Sequence, residues 1–133
     1  MQIPVPEIFL LGRVIFGGYF IMMGMNHFKN RTALAGYAAS KKIPNPSLAV
    51  FGTGLLLSFG GTGVVLGIKV SLSLGLLLLF LVPTTLIMHK FWEVSDPNMK
   101  MSEMTNFLKN MALVGAIFMM TAISTPWVYS ISL

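Results

Sequence analysis

The chain has no cysteine and few charged residues, and both absences narrow what it can be. Without cysteine it forms no disulfide, uses no thiol in catalysis and ligates no iron–sulfur cluster through its own side chains. Only 10% of its 133 residues are charged, against about 25% in typical soluble domains, and 55% are hydrophobic. With a mean hydropathy of +0.79 the chain is too apolar for an ordinary soluble domain. The composition predicts a membrane protein.

Recognisable catalytic motifs are also missing. The sequence has no glycine-rich phosphate loop, no pair of catalytic carboxylates and no serine–histidine–aspartate arrangement. Its two histidines lack the spacing of metal ligands, so we predict no metal site. No cofactor ligand is evident. The chain is therefore not expected to be catalytic alone, although it could be a subunit of an oxidoreductase.

Charge is nearly absent between residues 43 and 89, where Lys69 is the only charged side chain. Lys69 divides this stretch into two apolar blocks, each close to the ~20 residues that cross ~30 Å of hydrocarbon as a helix. Because backbone groups in lipid must bond to one another, we predict an all-α fold. It is a polytopic membrane protein, a bundle of four transmembrane helices in one domain over residues 1–133. The predicted spans are residues 5–25, 48–68, 70–88 and 107–129.

Two longer connections join these helices. In the first, Leu34, Tyr37 and Ala38 share one face of a short helix that ends with Lys41 and Lys42, ahead of Pro44. This pattern is typical of an interfacial helix with its apolar side in the bilayer. The second connection, residues 89–106, mixes acidic and basic side chains and is predicted to be a solvated loop.

The basic residues predict the orientation. A net charge of +5 would suggest nucleic-acid binding in a soluble protein, but here the positive residues cluster in or beside the two long connections. These basic residues are Lys29, Arg31, Lys41, Lys42, Lys90, Lys100 and Lys109. The opposite side has only Lys69. The positive-inside rule then places both long connections in the cytoplasm and both termini outside, in the plasma membrane of a bacterium. The bilayer, and not nucleic acid, is the expected partner.

Arg13 is the most costly residue in the first span. It lies about 12 Å into the bilayer at 1.5 Å per residue, and a charge there costs at least ~2.5 kcal/mol. We therefore expect it to face the bundle interior. Side chains at a matching depth are Ser58, Thr62 and Thr121, and the carbonyls around Gly60 and Gly61 are further candidates. Arg13 could orient the bundle, contact a ligand or anion, or extend to the interface.

A ring of polar residues is expected at one membrane surface. His27 and His89 end the first and third spans, and Asn26 and Asn110 fall on the same side. Such a ring could hold a quinone headgroup or a lipid, or relay protons. Capping of helix ends and hydrogen bonding to lipid headgroups is the alternative. The ligand-binding candidates are therefore Arg13, His27, His89 and Asn110.

Five stretches carry a family pattern: GR at 12–13, GMNHF at 24–28, GYAASKKIP at 36–44, MHKFW at 88–92 and FLKNMAL at 107–113. In this order the chain resembles the DoxX/DoxD-like family of small membrane proteins. The resemblance implies a four-helix membrane bundle and a link to redox chemistry. That family includes a subunit of a thiosulfate:quinone oxidoreductase and proteins of membrane oxidative-stress complexes. Arg13, His89 and Asn110 fall on family-typical positions.

Three hypotheses for the function follow. The first is an accessory membrane subunit that works beside a redox or quinone-linked partner and holds a quinone or a lipid. The second is a small transporter, or a lipid- or cargo-handling protein, that uses the interior around Arg13 as its path. The third is a structural assembly factor.

Overall fold

The computed structural model describes residues 4–133, and the regular structure in that range is helical. Five α-helices and one short 3-10 helix follow one another along the chain. They are α1 (Val5–Lys29), α2 (Arg31–Ser40), α3 (Pro46–Leu66), α4 (Val70–Met88), the 3-10 helix Phe91–Glu93 and α5 (Pro97–Thr121). The all-α prediction is confirmed.

Three helical stretches within residues 4–133 are long and apolar enough to cross a membrane. They are α1, α3 and the stretch Val70–Glu93, which contains α4. α1 extends four residues past the predicted end at 25, and α3 lies two residues earlier than predicted. α4 runs over the predicted residues 70–88.

The tight turn between α3 and α4 depends on residues with positive φ. Gly67 ends α3 with φ of 70°, and Lys69 precedes α4 with φ of 43°. Glycine adopts this left-handed conformation without a steric penalty. The side chain of Ser73 then donates to the carbonyl oxygen of Ile68 at 2.9 Å. The two helices form the expected antiparallel hairpin.

The prediction of a loop over 89–106 and a helix over 107–129 is wrong at both ends. α5 begins at Pro97, because Asp96 caps it: the backbone N–H of Met99 donates to Asp96 Oδ1 at 2.9 Å. Proline at the first helical position needs no N–H partner. The helix ends at Thr121, ahead of Pro126, and the chain then folds back over the bundle. Trp127 is only 2% exposed there.

The helices pack in the order α1, α3, α4, α5, with α2 lying against α3. Close backbone approach holds the first pair together. A Cβ added to Gly61 would lie 2.6 Å from the carbonyl oxygen of Gly17 and 2.9 Å from the backbone nitrogen of Ile21. Helices in lipid associate through such small residues, because the hydrophobic effect between them is lost. The core comprises Phe20, Leu57, Val64, Val70, Leu74, Leu77, Leu81, Val114, Ile117 and Trp127.

Candidate functional site

A cavity of about 390 Å³, open to the outside on part of its wall, lies between the helices at the end of the bundle where α1 and α4 finish. Most of its wall is apolar and aromatic, including Phe20, Met23, Leu57, Phe80 and Leu81. The polar side chains in the lining are Tyr19, Tyr37, Thr53, Thr84, Asn106 and Lys109, together with His27, His89 and Asn110. An apolar chamber with a few polar groups is the usual form of a small-molecule site.

His89 is held in place by an acidic residue of α5. Its Nδ1 lies 2.6 Å from Glu103 Oε2, and both side chains are largely buried. Tyr37 of α2 donates its hydroxyl to the other oxygen, Glu103 Oε1, at 2.9 Å. Glu103 thus joins the short helix to the end of α4. The Asp96 cap brings this contact about, because it starts α5 early enough to carry Glu103 beside His89.

The surroundings of Glu103 and Tyr37 shift both of their ionisations. Burial raises the pKa of the Glu103 carboxyl, but hydrogen bonds from His89 and Tyr37 and the charges of His89 and Lys41 outweigh it. The pKa of Glu103 therefore lies below its usual 4.5. Burial, followed by the hydrogen bond and charge of Glu103, raises the pKa of Tyr37 to about 12. Glu103 stays an acceptor and Tyr37 a donor over the physiological range.

His27 is oriented by its own helix. Its Nδ1 lies 2.8 Å from the carbonyl oxygen of Met23, one turn earlier in α1. The edge of its ring meets Phe80 of α4, with 5.7 Å between the ring centroids. The imidazole therefore contributes to the cavity wall in a fixed orientation.

Asn110 is the buried polar residue of the cavity. It is 6% exposed and takes part in none of the side-chain hydrogen bonds within residues 4–133, where the fully buried polar atoms that lack a partner are Ser58 Oγ and Trp127 Nε1. The donor and acceptor atoms of Asn110 are thus available to a molecule in the cavity.

Arg13 lies elsewhere, at the other end of the bundle. It is fourteen residues from His27 on α1, about 21 Å along the helix axis. It is 1% exposed, and the cavity lining does not include it. Its Nε donates to the carbonyl oxygen of Val64 at 3.1 Å and its Nη2 to that of Val65 at 2.8 Å. Its Nη1 donates to the carbonyl oxygen of Val128.

The prediction that Arg13 contacts Ser58, Thr62 and Thr121 is wrong. Thr62 is exposed, and the hydroxyl of Thr121 donates to the carbonyl oxygen of Phe118 at 2.7 Å. Ser58 Oγ is buried without a partner within residues 4–133. The last carbonyls of α3 attract the guanidinium instead, because a helix end leaves them without intrahelical donors. Rings of Phe9 and Trp127 flank it, at 5.8 and 5.6 Å.

Three of the four candidate residues therefore meet at one cavity, and Arg13 does not join them. The sequence reading missed Glu103, which it placed in a solvated loop, and it gave Tyr37 only an apolar role. The sequence signal that could have revealed Glu103 is Asp96-Pro97, which is a typical helix start. A helix that begins there includes residue 103. Within residues 4–133, no group of three or more histidine or acidic side chains could hold a metal ion.

Comparison with known proteins supports the resemblance seen in the sequence. The DoxX family model matches residues 8–90, which is more than half of the 133 residues. This match spans α1 to α4 and includes Arg13, His27 and His89, while Glu103 and Asn110 lie beyond it. No curated protein and no solved structure matches the chain.

Replacing Arg13 by leucine should destabilise the protein by about 1–3 kcal/mol, because the carbonyls of Val64, Val65 and Val128 lose their donor. Thermal unfolding in detergent would measure this change. Arg31→Leu is the matched control: Arg31 also donates to a carbonyl and lies over an aromatic ring, but it is exposed. We expect it to stay within ~0.5 kcal/mol of the unmodified protein. Equal stability of the two variants would contradict the role of Arg13.

The low pKa of Glu103 should make the protein sensitive to acid. A carboxyl whose pKa is lower in the folded than in the unfolded protein stabilises the fold when the pH is above its unfolded-state pKa. That contribution is lost as the pH falls through its folded-state pKa. The melting temperature should therefore decrease once the pH is lowered below about 4.5, the usual pKa of the group. Glu103→Gln should remove this part of the acid response, whereas Glu93→Gln, at an exposed position, should keep it. An identical pH profile for Glu103→Gln and the unmodified protein would contradict this reading.

Proposed function

This chain belongs to the DoxX family, and from that membership and the cavity we propose that it is an accessory subunit of a redox-linked membrane complex. The cavity binds a quinone or a related lipid with a polar headgroup. The observation that carries the proposal is the largely apolar pocket in which Asn110, only 6% exposed, lies in the same lining as two oriented histidines.

Two properties of the chamber make it suitable for a quinone: its volume and the polar groups in its lining. About 390 Å³ falls within the range of about 300–1,000 Å³ typical of small-molecule sites. Aromatic and aliphatic side chains would surround the ring and the start of the tail. His27, His89 and Asn110 would bind the headgroup oxygens. The chemistry supplied by a bound quinone is the storage of two electrons and two protons.

The accessory role follows from the resemblance and from the composition. The chain has no cysteine with which to hold an iron–sulfur cluster, so electrons would reach the quinone from a partner protein. We propose that the partner performs the redox reaction and that this chain positions the quinone in the bilayer.

We further propose that α5 is a fourth membrane span and that α2 lies at the interface. The second half of α5 is apolar, and Val114 and Ile117 belong to the same core as the other helices. The charged residues of α5 are Lys100, Glu103 and Lys109, and the last of them is its central residue. α2 is exposed over most of its length and ends beside Lys41 and Lys42. These features support a four-helix bundle with a short amphipathic helix at the headgroups.

The orientation can be tested with fusion reporters. Seven basic residues lie in or beside the two longer connections, with Lys29 at the end of α1 and Lys100 and Lys109 in α5. They favour a cytoplasmic location for both connections, with the termini outside. Alkaline phosphatase, which is active only outside the cytoplasm, should be active when fused after Leu133 and inactive when fused after Ser95. The reverse pattern would invert the proposed orientation.

Ligand binding can be tested on the purified protein with decylubiquinone as the probe. Replacing Asn110 by leucine, which has a similar size, removes the carboxamide and should weaken binding by about tenfold. Thr105→Val is the control: it also removes a polar group from α5, but at an exposed position, and binding should be unchanged. Native mass spectrometry and thermal shift would measure the affinities.

Membranes from the native host extend the same test to the partner. Asn110→Leu should slow quinone reduction there, while the amount of assembled complex stays constant. If the unmodified protein binds no decylubiquinone, the proposal fails. If the complex is lost together with the activity in Asn110→Leu, the chain is an assembly factor instead.

A further inference from the structure

Lys109 brings a positive charge to the lining of the cavity. It is the central residue of α5, and it precedes the buried Asn110. Its side chain is exposed although it belongs to the lining, so it lies where the cavity opens. Along α5 it is about 9 Å past Glu103, the residue beside which α4 ends. A lysine at this depth of a membrane helix needs water, a lipid headgroup or a counterion.

The protein itself supplies no counterion for Lys109 within residues 4–133. The ion pairs in that range are His89–Glu103 at 2.6 Å and Lys90–Glu93 at 3.5 Å. All four acidic side chains of the chain have other partners: they are Glu7, Glu93, Asp96 and Glu103. The charge that balances Lys109 therefore comes from outside the chain.

The polar groups next to Lys109 can also donate hydrogen bonds. Asn106 lies three residues before Lys109 and four before Asn110, so these side chains share one face of α5. All three are in the lining, and Tyr19 of α1 adds a hydroxyl. Ammonium, carboxamide and phenol groups all donate, and their hydrogen bonds to an anionic oxygen are about twice as strong as neutral ones. This face of α5 is suited to an anionic headgroup.

The remainder of the lining is suited to an apolar chain. Phe20, Leu57 and Leu81 are at most 1% exposed and form the deepest part of the wall. A volume of about 390 Å³ is near the lower end of the range of about 300–1,000 Å³ for small-molecule sites. A ligand with one chain is therefore a better fit than a lipid with two.

We propose that the cavity binds a single-chain anionic amphipath, with its charged oxygens at Lys109 and its chain against Leu57 and Leu81. The inference rests on the cavity being the ligand site, as the proposed function does, and adds a class of ligand that carries a charge. Fatty acids and lysophospholipids with a free phosphate share this chemistry and are the two sources of such a ligand.

The first test compares oleate with oleyl alcohol, which has the same chain and no charge. At about pH 8.5, between the ordinary pKa values of a carboxyl and a lysine, both groups of the proposed contact are ionised. Oleate should bind the purified protein about fivefold more tightly or better. The difference should shrink when salt is raised from ~0.05 to ~0.5 M, because ions screen an exposed charge. Equal affinities of the two ligands overturn the inference.

Two more probes separate the remaining outcomes. If oleoyl lysophosphatidic acid binds more tightly than oleate, the anion site stands and phosphate is its preferred headgroup; weaker binding makes carboxylate the preferred one. If decylubiquinone binds and neither anion binds better than oleyl alcohol, this inference fails and the proposed function stands. A preference for the anions without binding of decylubiquinone means the opposite. No binding of any probe overturns both.

Substitutions in α5 locate the anion site. Lys109→Met removes the charge at similar length and should bring oleate and oleyl alcohol to equal affinity. Lys109→Arg keeps the charge and should keep the preference for oleate. Lys100→Met is the matched control, because it removes a charge from an exposed position of the same helix outside the lining. An unchanged preference in Lys109→Met contradicts the assignment.

Photolabelling of the unmodified protein needs no substitution. A palmitic acid analogue with a diazirine in the middle of its chain should label the cavity wall around Leu57 and Leu81 on illumination, and excess oleate should prevent this. Peptide mass spectrometry would locate the label. Labelling confined to outward-facing residues such as Leu72 and Leu79, which are 62% and 60% exposed, overturns the inference.

Discussion

The fold depends on satisfying the carbonyl groups at the end of α3, and Arg13 does most of this. A helix that ends near the membrane leaves its last carbonyls without donors, and lipid supplies none. The guanidinium donates to Val64 and Val65, and the N–H of Ile131 donates to Leu66 at 3.0 Å. The third guanidinium bond, to Val128, fastens the C-terminal segment over the same helix end. One side chain of α1 thereby joins the hairpin turn and the end of the chain.

The two ends of the bundle have opposite characters as a result. At the Arg13 end each donor nitrogen of the guanidinium is used, and aromatic rings cover the charge. At the histidine end polar atoms remain available around a chamber. A guanidinium held by three backbone carbonyls, with two of its five N–H groups outside those bonds, is suited to stabilising the bundle. This arrangement favours a ligand site near His27 and His89 over a transport path centred on Arg13.

The parts of this structure that the sequence predicted depend on local patterns. The apolar blocks around Lys69 are sufficient to locate α3 and α4, because length and lack of charge determine a span. Counting residues from the membrane surface also placed His27, His89 and Asn110 at one end. The start of α5 was missed because charged residues suggested a loop, although Asp96 and Pro97 form a helix start. The bond from Arg13 to Val128 joins residues too far apart in the chain for any local pattern to reveal it.

The fixed hydrogen bonds of the two histidines also bear on the electrostatics of the chamber. Each Nδ1 has an acceptor within 2.8 Å, and a neutral ring satisfies that contact. Asn110 lines the chamber as an uncharged group, whereas Lys109 brings an ammonium group to the same wall at an exposed position, and moving an ion from water into a low-dielectric interior would cost several kcal/mol. An uncharged amphipath moving between bulk lipid and this chamber would exchange one apolar medium for another. Its passage would be governed by steric fit and hydrogen bonding, with no Born-energy barrier to cross.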